Sequence, residues 1–274
     1  MKNYTVQKDR IGNVDLLILR PTKAAKPREE TPGILWLHGG GYAVGMASMI
    51  YMSRAMDLVR KYGAVVVTPE YRLAGKAPYP AALEDCYDAL VYLKNHAAEL
   101  GCNDAQLMVG SESAGGGLAA ALCMYARDKG EVKIAFQMPL YPMIDDRDTE
   151  SSRNNHSISW NTRRNHAAWK LYLSNVIGEP PVYAVPARQT DYTGLSPAYT
   201  FVGDGEPFYC ETLTYIENLK KAGVPARVDV YKTSLHAFDM LMPFRKISKQ
   251  AIVAFEEQYL YAREHYTASQ DQEG

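Results

Sequence analysis

The stretch Gln106-Leu107-Met108-Val109-Gly110-Ser111-Glu112-Ser113-Ala114-Gly115-Gly116-Gly117 decides the fold. An apolar run of strand character ends in small residues, and helical periodicity follows over residues 114–127. A serine on such a strand-to-helix elbow is forced into a strained backbone conformation, and strand and helix can close on it only if the residues two before and two after are small. Around Ser113 those residues are Ser111 and Gly115, so the pattern G-x-S-x-G is met at plus two and departs from glycine at minus two. The register with Ser111 as nucleophile puts Val109 and Ser113 at these positions and fits worse. A Ser-Gly-rich turn before a helix is by itself more often a plain loop or a phosphate cradle, so Ser113 needs partners.

Those partners occur in a specific order. His38-Gly39-Gly40-Gly41 follows the apolar run Ile34-Leu35-Trp36-Leu37, and its glycine backbone can turn N–H groups toward an oxyanion. Downstream, Val202-Gly203-Asp204-Gly205-Glu206-Pro207 offers two carboxylates, and Ser234-Leu235-His236-Ala237-Phe238-Asp239 follows a strand-like segment and offers a histidine. Oxyanion loop, serine, acid, histidine is the order of an α/β-hydrolase triad and differs from the orders of the chymotrypsin and subtilisin folds.

With these motifs the chain resembles the hormone-sensitive-lipase-like (bacterial family IV) esterases of the α/β-hydrolase superfamily, from about Asp15 to about Phe255. That family carries H-G-G-G, G-[DE]-S-A-G, Y-R-L-A-P-E and H-G-F-D. Here the third motif reads Tyr71-Arg72-Leu73-Ala74-Gly75-Lys76 and the fourth His236-Ala237-Phe238-Asp239. The family's D-P-[LF]-x-x-E aligns with Glu206-Pro207-Phe208-Tyr209-Cys210-Glu211, which implies Glu206 as the third triad member. Asp204 is the alternative acid, and its plainer reading is a turn residue satisfying local N–H groups. His236 then takes the proton from Ser113, Glu206 orients the imidazole, and the N–H groups of Gly40, Gly41 and Ala114 receive the oxyanion. No metal or cofactor is implied.

Strand patterns fall on residues 5–8 and 14–20, a hairpin about Gly12-Asn13, and on 33–37, 64–69, 106–110, 134–140, 198–203 and 227–231. Helical periodicity is clearest over 81–96, 114–127, 208–222 and 246–262. This alternation predicts an α/β architecture, a mostly parallel eight-stranded sheet with helices on both faces and chemistry at the carboxyl ends of the strands. The 274 residues read as a single α/β-hydrolase domain, with residues 143–196 inserted between late strands as a reduced cap. The resemblance also implies an N-terminal half of the cap, for which residues 1–32 leave no room. The alcohol side is therefore expected to be open or walled by a second subunit. Pairing of two copies through the edge strand near the C-terminal helix, a homodimer, rests on the resemblance alone.

A net charge of −1 offers no basic stripe for nucleic acid and no polybasic membrane patch. Residues 1–10 lack an apolar signal region and no apolar run approaches a membrane span, so a cytoplasmic protein is expected. Cys86, Cys102, Cys123 and Cys210 show no C-x-x-C spacing and read as reduced thiols. Tyr42, Trp160 and Tyr209 are candidates for substrate contact, although core packing is the first reading of any aromatic. His38 reads as a brace for the glycine loop, His96 and His265 as surface residues, and His156 and His166 as cap residues near substrate. Glu112 reads as a structural hydrogen-bonding group, and Arg72 and Asp85 as a buried pair.

The expected function is a serine carboxylesterase for short acyl groups such as acetyl, working on a small-molecule ester through an acyl-enzyme. Two alternatives remain open: a non-catalytic small-molecule receptor on a hydrolase scaffold, and an amidase or peptidase using the same triad.

Overall fold

A computed structural model describes residues 3–22 and 27–270. Eight strands, β1 (Tyr4–Ile11), β2 (Val14–Pro21), β3 (Pro32–Leu37), β4 (Val65–Pro69), β5 (Asn103–Glu112), β6 (Phe136–Leu140), β7 (Ala198–Gly203) and β8 (Ala226–Tyr231), form one sheet in the order β1-β2-β4-β3-β5-β6-β7-β8. The hairpin β1-β2 is antiparallel, β2 runs antiparallel to β4, and every later pairing is parallel. Each strand pattern seen in the sequence corresponds to one of these strands.

The helices are α1 (Arg54–Tyr62), α2 (Ala81–Asn95), α3 (Ala97–Leu100), α4 (Ala114–Lys129), α5 (Thr162–Tyr172), α6 (Tyr209–Lys221), α7 (Phe238–Leu241) and α8 (Lys246–His265). β3, β4 and β6 are buried at every position, as strands covered on both faces must be. Alternate side chains serve opposite layers: Leu35, Leu37, Val65 and Val67 pack under α2 and α4, whereas Ile34, Trp36 and Val66 pack against α1 and α8. Helix α6 joins the first of these layers, where Tyr215, Ile216 and Leu219 meet Ala120 and Met124 of α4.

Helix α1 has no counterpart among the sequence expectations. Its inward face is Arg54, Ala55, Met56, Leu58 and Val59, and the buried arginine breaks the apolar periodicity that would have marked it. Two other features acquire physical reasons. Gly75 and Lys76 lie at an exposed turn, and a Cβ at Gly75 would meet nothing within 4 Å, so no neighbour constrains that departure from the family motif. The Arg72–Asp85 pair ties the loop after β4 to α2 through contacts of 2.7 and 3.0 Å, with Asp85 buried and Arg72 half exposed. No helix among the described residues is long and apolar enough to cross a membrane.

Close approach at the elbow has a measurable consequence. A Cβ at Gly115 would stand 2.1 Å from Ser111 Oγ and 2.4 Å from the His38 carbonyl oxygen. Gly115→Ala should therefore destabilise the fold by ~1–3 kcal/mol. Gly75→Ala should stabilise it by about 0.4–1 kcal/mol through the unfolded chain. Urea denaturation of both variants beside the wild type separates the two effects.

Candidate active site

Ser113 sits between β5 and α4 with φ 59° and ψ −124°, outside the regions open to an unstrained L-residue. Its N–H donates to the Leu140 carbonyl at 3.0 Å, and its own carbonyl accepts from Met143 N–H at 3.0 Å and Gly117 N–H at 3.1 Å. The chain leaving β6 thus clamps the serine on both sides. Ser111 is explained by the same geometry: its buried hydroxyl donates to the Leu37 carbonyl of β3 and fills the space that Gly115, lacking a Cβ, leaves open. A serine at minus two is accommodated because it bonds sideways to the strand that feeds the glycine loop.

His236 lies on the loop after β8, Glu206 on the loop after β7, and both are buried. His236 Nδ1 bonds Glu206 Oε2, and Nε2 faces Ser113 Oγ at 2.9 Å. A carboxylate accepts only, so Nδ1 carries the proton and Nε2 presents its lone pair to the serine hydroxyl. The other Glu206 oxygen accepts from Gly203 N–H at 2.7 Å, which fixes the carboxylate plane. The rings of Phe208 and Tyr141 stand edge-on to the imidazole at 4.9 and 5.0 Å. Asp204 is otherwise engaged: Oδ1 accepts from Thr233 N–H at 3.2 Å and Oδ2 pairs with Lys232 at 3.0 Å.

The glycine loop takes a course that side chains forbid. Gly40 has φ +126°, and a Cβ there would lie 1.9 Å from the Val44 carbonyl oxygen. Gly41 has φ +60°, and a Cβ there would lie 2.4 Å from Cη2 of Trp160. The amides of Gly40, Gly41 and Ala114 have no acceptor among the described residues. His38 braces the loop: Nδ1 lies 2.8 Å from the Gly39 carbonyl oxygen, Tyr71 donates to the His38 carbonyl at 2.7 Å, and the two rings stack at 4.1 Å.

Beside Ser113 opens a cavity of about 310 Å³. Trp160 lines it, together with Trp36, Met49, Ile50, Met240 and Leu241, none of which spacing singled out. Tyr42 and Tyr209 do not line it. Tyr42 is buried with φ +60°, stacks on Tyr172 at 4.0 Å and donates to the Met143 carbonyl at 2.7 Å, so it is a strut beneath the glycine loop rather than a substrate contact. Tyr209 opens α6 half-buried, packed against the α8 side of the core. His156 and His166 lie outside the cavity, and His166 pairs with Asp148 at 2.7 Å.

Comparison with known proteins identifies the family. The alpha/beta hydrolase fold family matches residues 34–240. The esterase LipI of Mycobacterium tuberculosis (strain ATCC 25618 / H37Rv) is 32% identical over 212 residues, 76% of this chain and 66% of that protein. The chain thus spans about two thirds of that relative's length. The acetyl-hydrolase of Streptomyces hygroscopicus is 29% identical over 229 residues, 82% of this chain and 74% of that one. The solved structure of a bacterial heroin esterase superposes with a TM-score of 0.87 at 32% identity, covering 96% of this chain and 84% of that one. The chain belongs to the hormone-sensitive-lipase-like esterases of the α/β-hydrolase fold.

Within this α/β-hydrolase the residue before Ser113, Glu112, is the carboxyl that lines the cavity. Burial pushes Glu112 up to about 8, against the pull of Trp36 Nε1, which donates to it at 2.9 Å, and of Arg54 N–H at 3.3 Å. Asp239 lies nearby and is also raised by burial, with Arg54 opposing. Arg54 Nε faces Asp239 Oδ2 at 3.1 Å, close enough for an ion pair but out of line for a hydrogen bond, while Tyr141 donates to Oδ1 at 2.9 Å. Arg54 thus joins the serine elbow to the histidine turn, through its backbone N–H to Glu112 on one side and its guanidinium to Asp239 on the other.

Because the folded-state value of Glu112 lies above the unfolded one, its contribution to stability is complete below about 4.5 and is lost as pH rises toward about 8. Glu112→Gln removes this titration. In chemical denaturation from pH 5 to 9, the wild type should lose stability relative to the variant up to about pH 8 and run parallel to it above. Parallel curves throughout would show that Glu112 is already ionised in the folded protein.

Proposed function

We propose that the protein is a serine carboxylesterase for short-chain acyl esters that works through an acyl-enzyme. The observation that carries this reading is the buried hydrogen-bonded series Ser113 Oγ, His236, Glu206, open to a cavity at its serine end. In acylation Ser113 Oγ attacks the ester carbonyl as its proton passes to His236 Nε2. Glu206 stabilises the resulting imidazolium, and the amides of Gly40, Gly41 and Ala114 receive the oxyanion. Collapse of the tetrahedral intermediate breaks the bond to the alcohol oxygen, which takes the proton from Nε2. Water then repeats the sequence on the acyl-enzyme, releasing the acid and restoring Ser113.

Short acyl groups are favoured by size: about 310 Å³ lies at the small end of the ligand pocket range of ~300–1,000 Å³. The likeness to an acetyl-hydrolase points the same way. Residues 143–196 act as the cap in this reading. Ser151 Oγ donates to the Pro207 carbonyl at 2.7 Å, Asn155 Nδ2 to Gly205 at 3.1 Å and Ser157 Oγ to Ser234 at 2.5 Å, so one segment grips the chain on either side of Glu206 and just before His236. From it Trp160 reaches over Gly41, its ring centroid 6.5 Å from that of His236.

Hydrolysis of p-nitrophenyl esters from acetate to decanoate tests the proposal. Turnover should peak at two to four carbons. Ser113→Ala should reduce it to background, Glu206→Gln should cut it on the order of 10³- to 10⁴-fold, and Asp204→Asn should leave it within about twofold. Silence at every chain length would favour a receptor, and faster cleavage of a matching anilide would favour an amidase.

A further inference from the structure

The cavity mouth has a surface that ester hydrolysis does not require. Its walls come from three separate segments, represented by Met49 and Ile50, by Ser159 and Trp160, and by Met240 and Leu241. Of the fourteen exposed large apolar side chains among the described residues, eight fall on residues 44–52, 158 and 241–244 of these same segments. Val44, Met46 and Met52 flank the first in sequence, Ile158 (83% exposed) directly precedes the second, and Leu241 belongs to the third, with Phe244 (88% exposed) three residues on in a groove shared with Lys246, Lys249 and Glu257. Scattered exposed apolar residues need no explanation, but a collar of them around one opening does.

Charge is distributed in the same pattern. Residues 43–56, 151–178 and 240–255 contain no aspartate or glutamate, in a protein whose net charge is −1. Their exposed cations include Arg163, Arg164, Arg245, Lys246 and Lys249, none of which forms an ion pair among the described residues, and Glu257 is the acid that shares a groove with Lys246 and Lys249. Arg164 is fixed beside the collar, donating to the carbonyls of Ile158 at 2.7 Å and Ser159 at 2.8 Å. Arg245 and Lys246 directly follow Phe244. Exposed apolar side chains bordered by unpaired cations match a surface that is apolar within and anionic at its face.

We propose that the cavity mouth docks on a lipid–water interface bearing anionic headgroups, with Phe244, Leu241 and Ile158 entering the apolar layer and Arg245, Lys246, Lys249, Arg163 and Arg164 meeting the headgroups. The docking stands on the exposure and charge of segments that adjoin the cavity lining and is independent of catalysis. Its consequence, that esters dissolved in such an interface reach Ser113 directly, rests on the proposed esterase function. The sequence reading expected no membrane partner because net charge averages over the chain, whereas these cations come from two distant segments that each adjoin residues lining the cavity.

Flotation with vesicles of phosphatidylcholine alone and of phosphatidylcholine with 30% phosphatidylglycerol tests the proposal independently of catalysis. The protein should bind the anionic vesicles at least tenfold more tightly than the neutral ones, and 0.5 M salt should abolish the difference. Phe244→Ser should weaken binding about tenfold, and Lys246→Glu about fivefold or more, each leaving hydrolysis of a water-soluble ester unchanged. Equal binding to both vesicles, absence of binding to either, or insensitivity to both substitutions would overturn it. A dimer in light scattering that Phe244→Ser dissociates would also overturn it, assigning the collar to a second copy of the chain. Loss of ester turnover with vesicle binding intact would instead count against the esterase reading.

Discussion

Strain in one backbone unit, that of Ser113, is the constraint on which the site depends. A residue at φ 59° and ψ −124° relaxes unless its surroundings forbid it, at a cost of order 1–3 kcal/mol that packing elsewhere must offset. Here the end of β6 holds the serine N–H and carbonyl together, through Leu140 and Met143. Beneath it Gly115 lets α4 close on β3 and β5, with the Ser111 hydroxyl bridging to Leu37. Leu37 leads straight into His38 and the glycine loop, so the elbow and the oxyanion loop share one hydrogen-bonded seam. Ser113 is buried yet faces the cavity because three parallel strands end at the same level and cannot admit another course.

The histidine and the acid inherit their positions from that level. Both sit on loops at the carboxyl ends of neighbouring strands β7 and β8, and both are gripped by the long segment between β6 and β7. Glutamate in place of aspartate fits this frame, since its extra methylene lets Glu206 accept from Gly203 N–H with one oxygen and reach His236 with the other. Behind them Arg54 is the one buried Lys or Arg among the described residues, set in a cluster of acids, and Glu112 is kept neutral toward higher pH than a carboxyl in water. The site is thus preorganised by strand ends and a polar clamp around Ser113, Glu206 and His236, and by a buried charge between Glu112 and Asp239 at its flank.

Much of this was legible in the sequence, and the limits have physical causes. Strands buried on both faces, β3, β4, β6 and β7, write continuous apolar runs, whereas the exposed edge strands β1 and β8 were legible from the Gly12-Asn13 turn and from strand-forming residues, and the loops that follow the inner strands carry residues with no packing excuse. Helix α1 was hidden because its inward face includes Arg54, whose role as partner to Asp239 becomes visible only when distant segments meet. Tyr42 and Tyr209 adjoin site motifs in sequence, but Tyr42 hangs below the glycine loop and Tyr209 turns to the core. Met49, Ile50, Met240 and Leu241 wall the cavity from segments whose spacing resembles ordinary core. The basic, apolar collar was invisible for the same reason: net charge has no geometry.

The central claim is that the elbow makes Ser113 alone, among all the serines, a nucleophile. Treatment with diethyl p-nitrophenyl phosphate followed by intact mass measurement and peptide mapping tests it most directly. The account predicts one diethylphosphoryl group per chain, carried on Ser113, formed far more slowly in Glu206→Gln and absent in Ser113→Ala. An unmodified protein, or a label on any other residue, would contradict it.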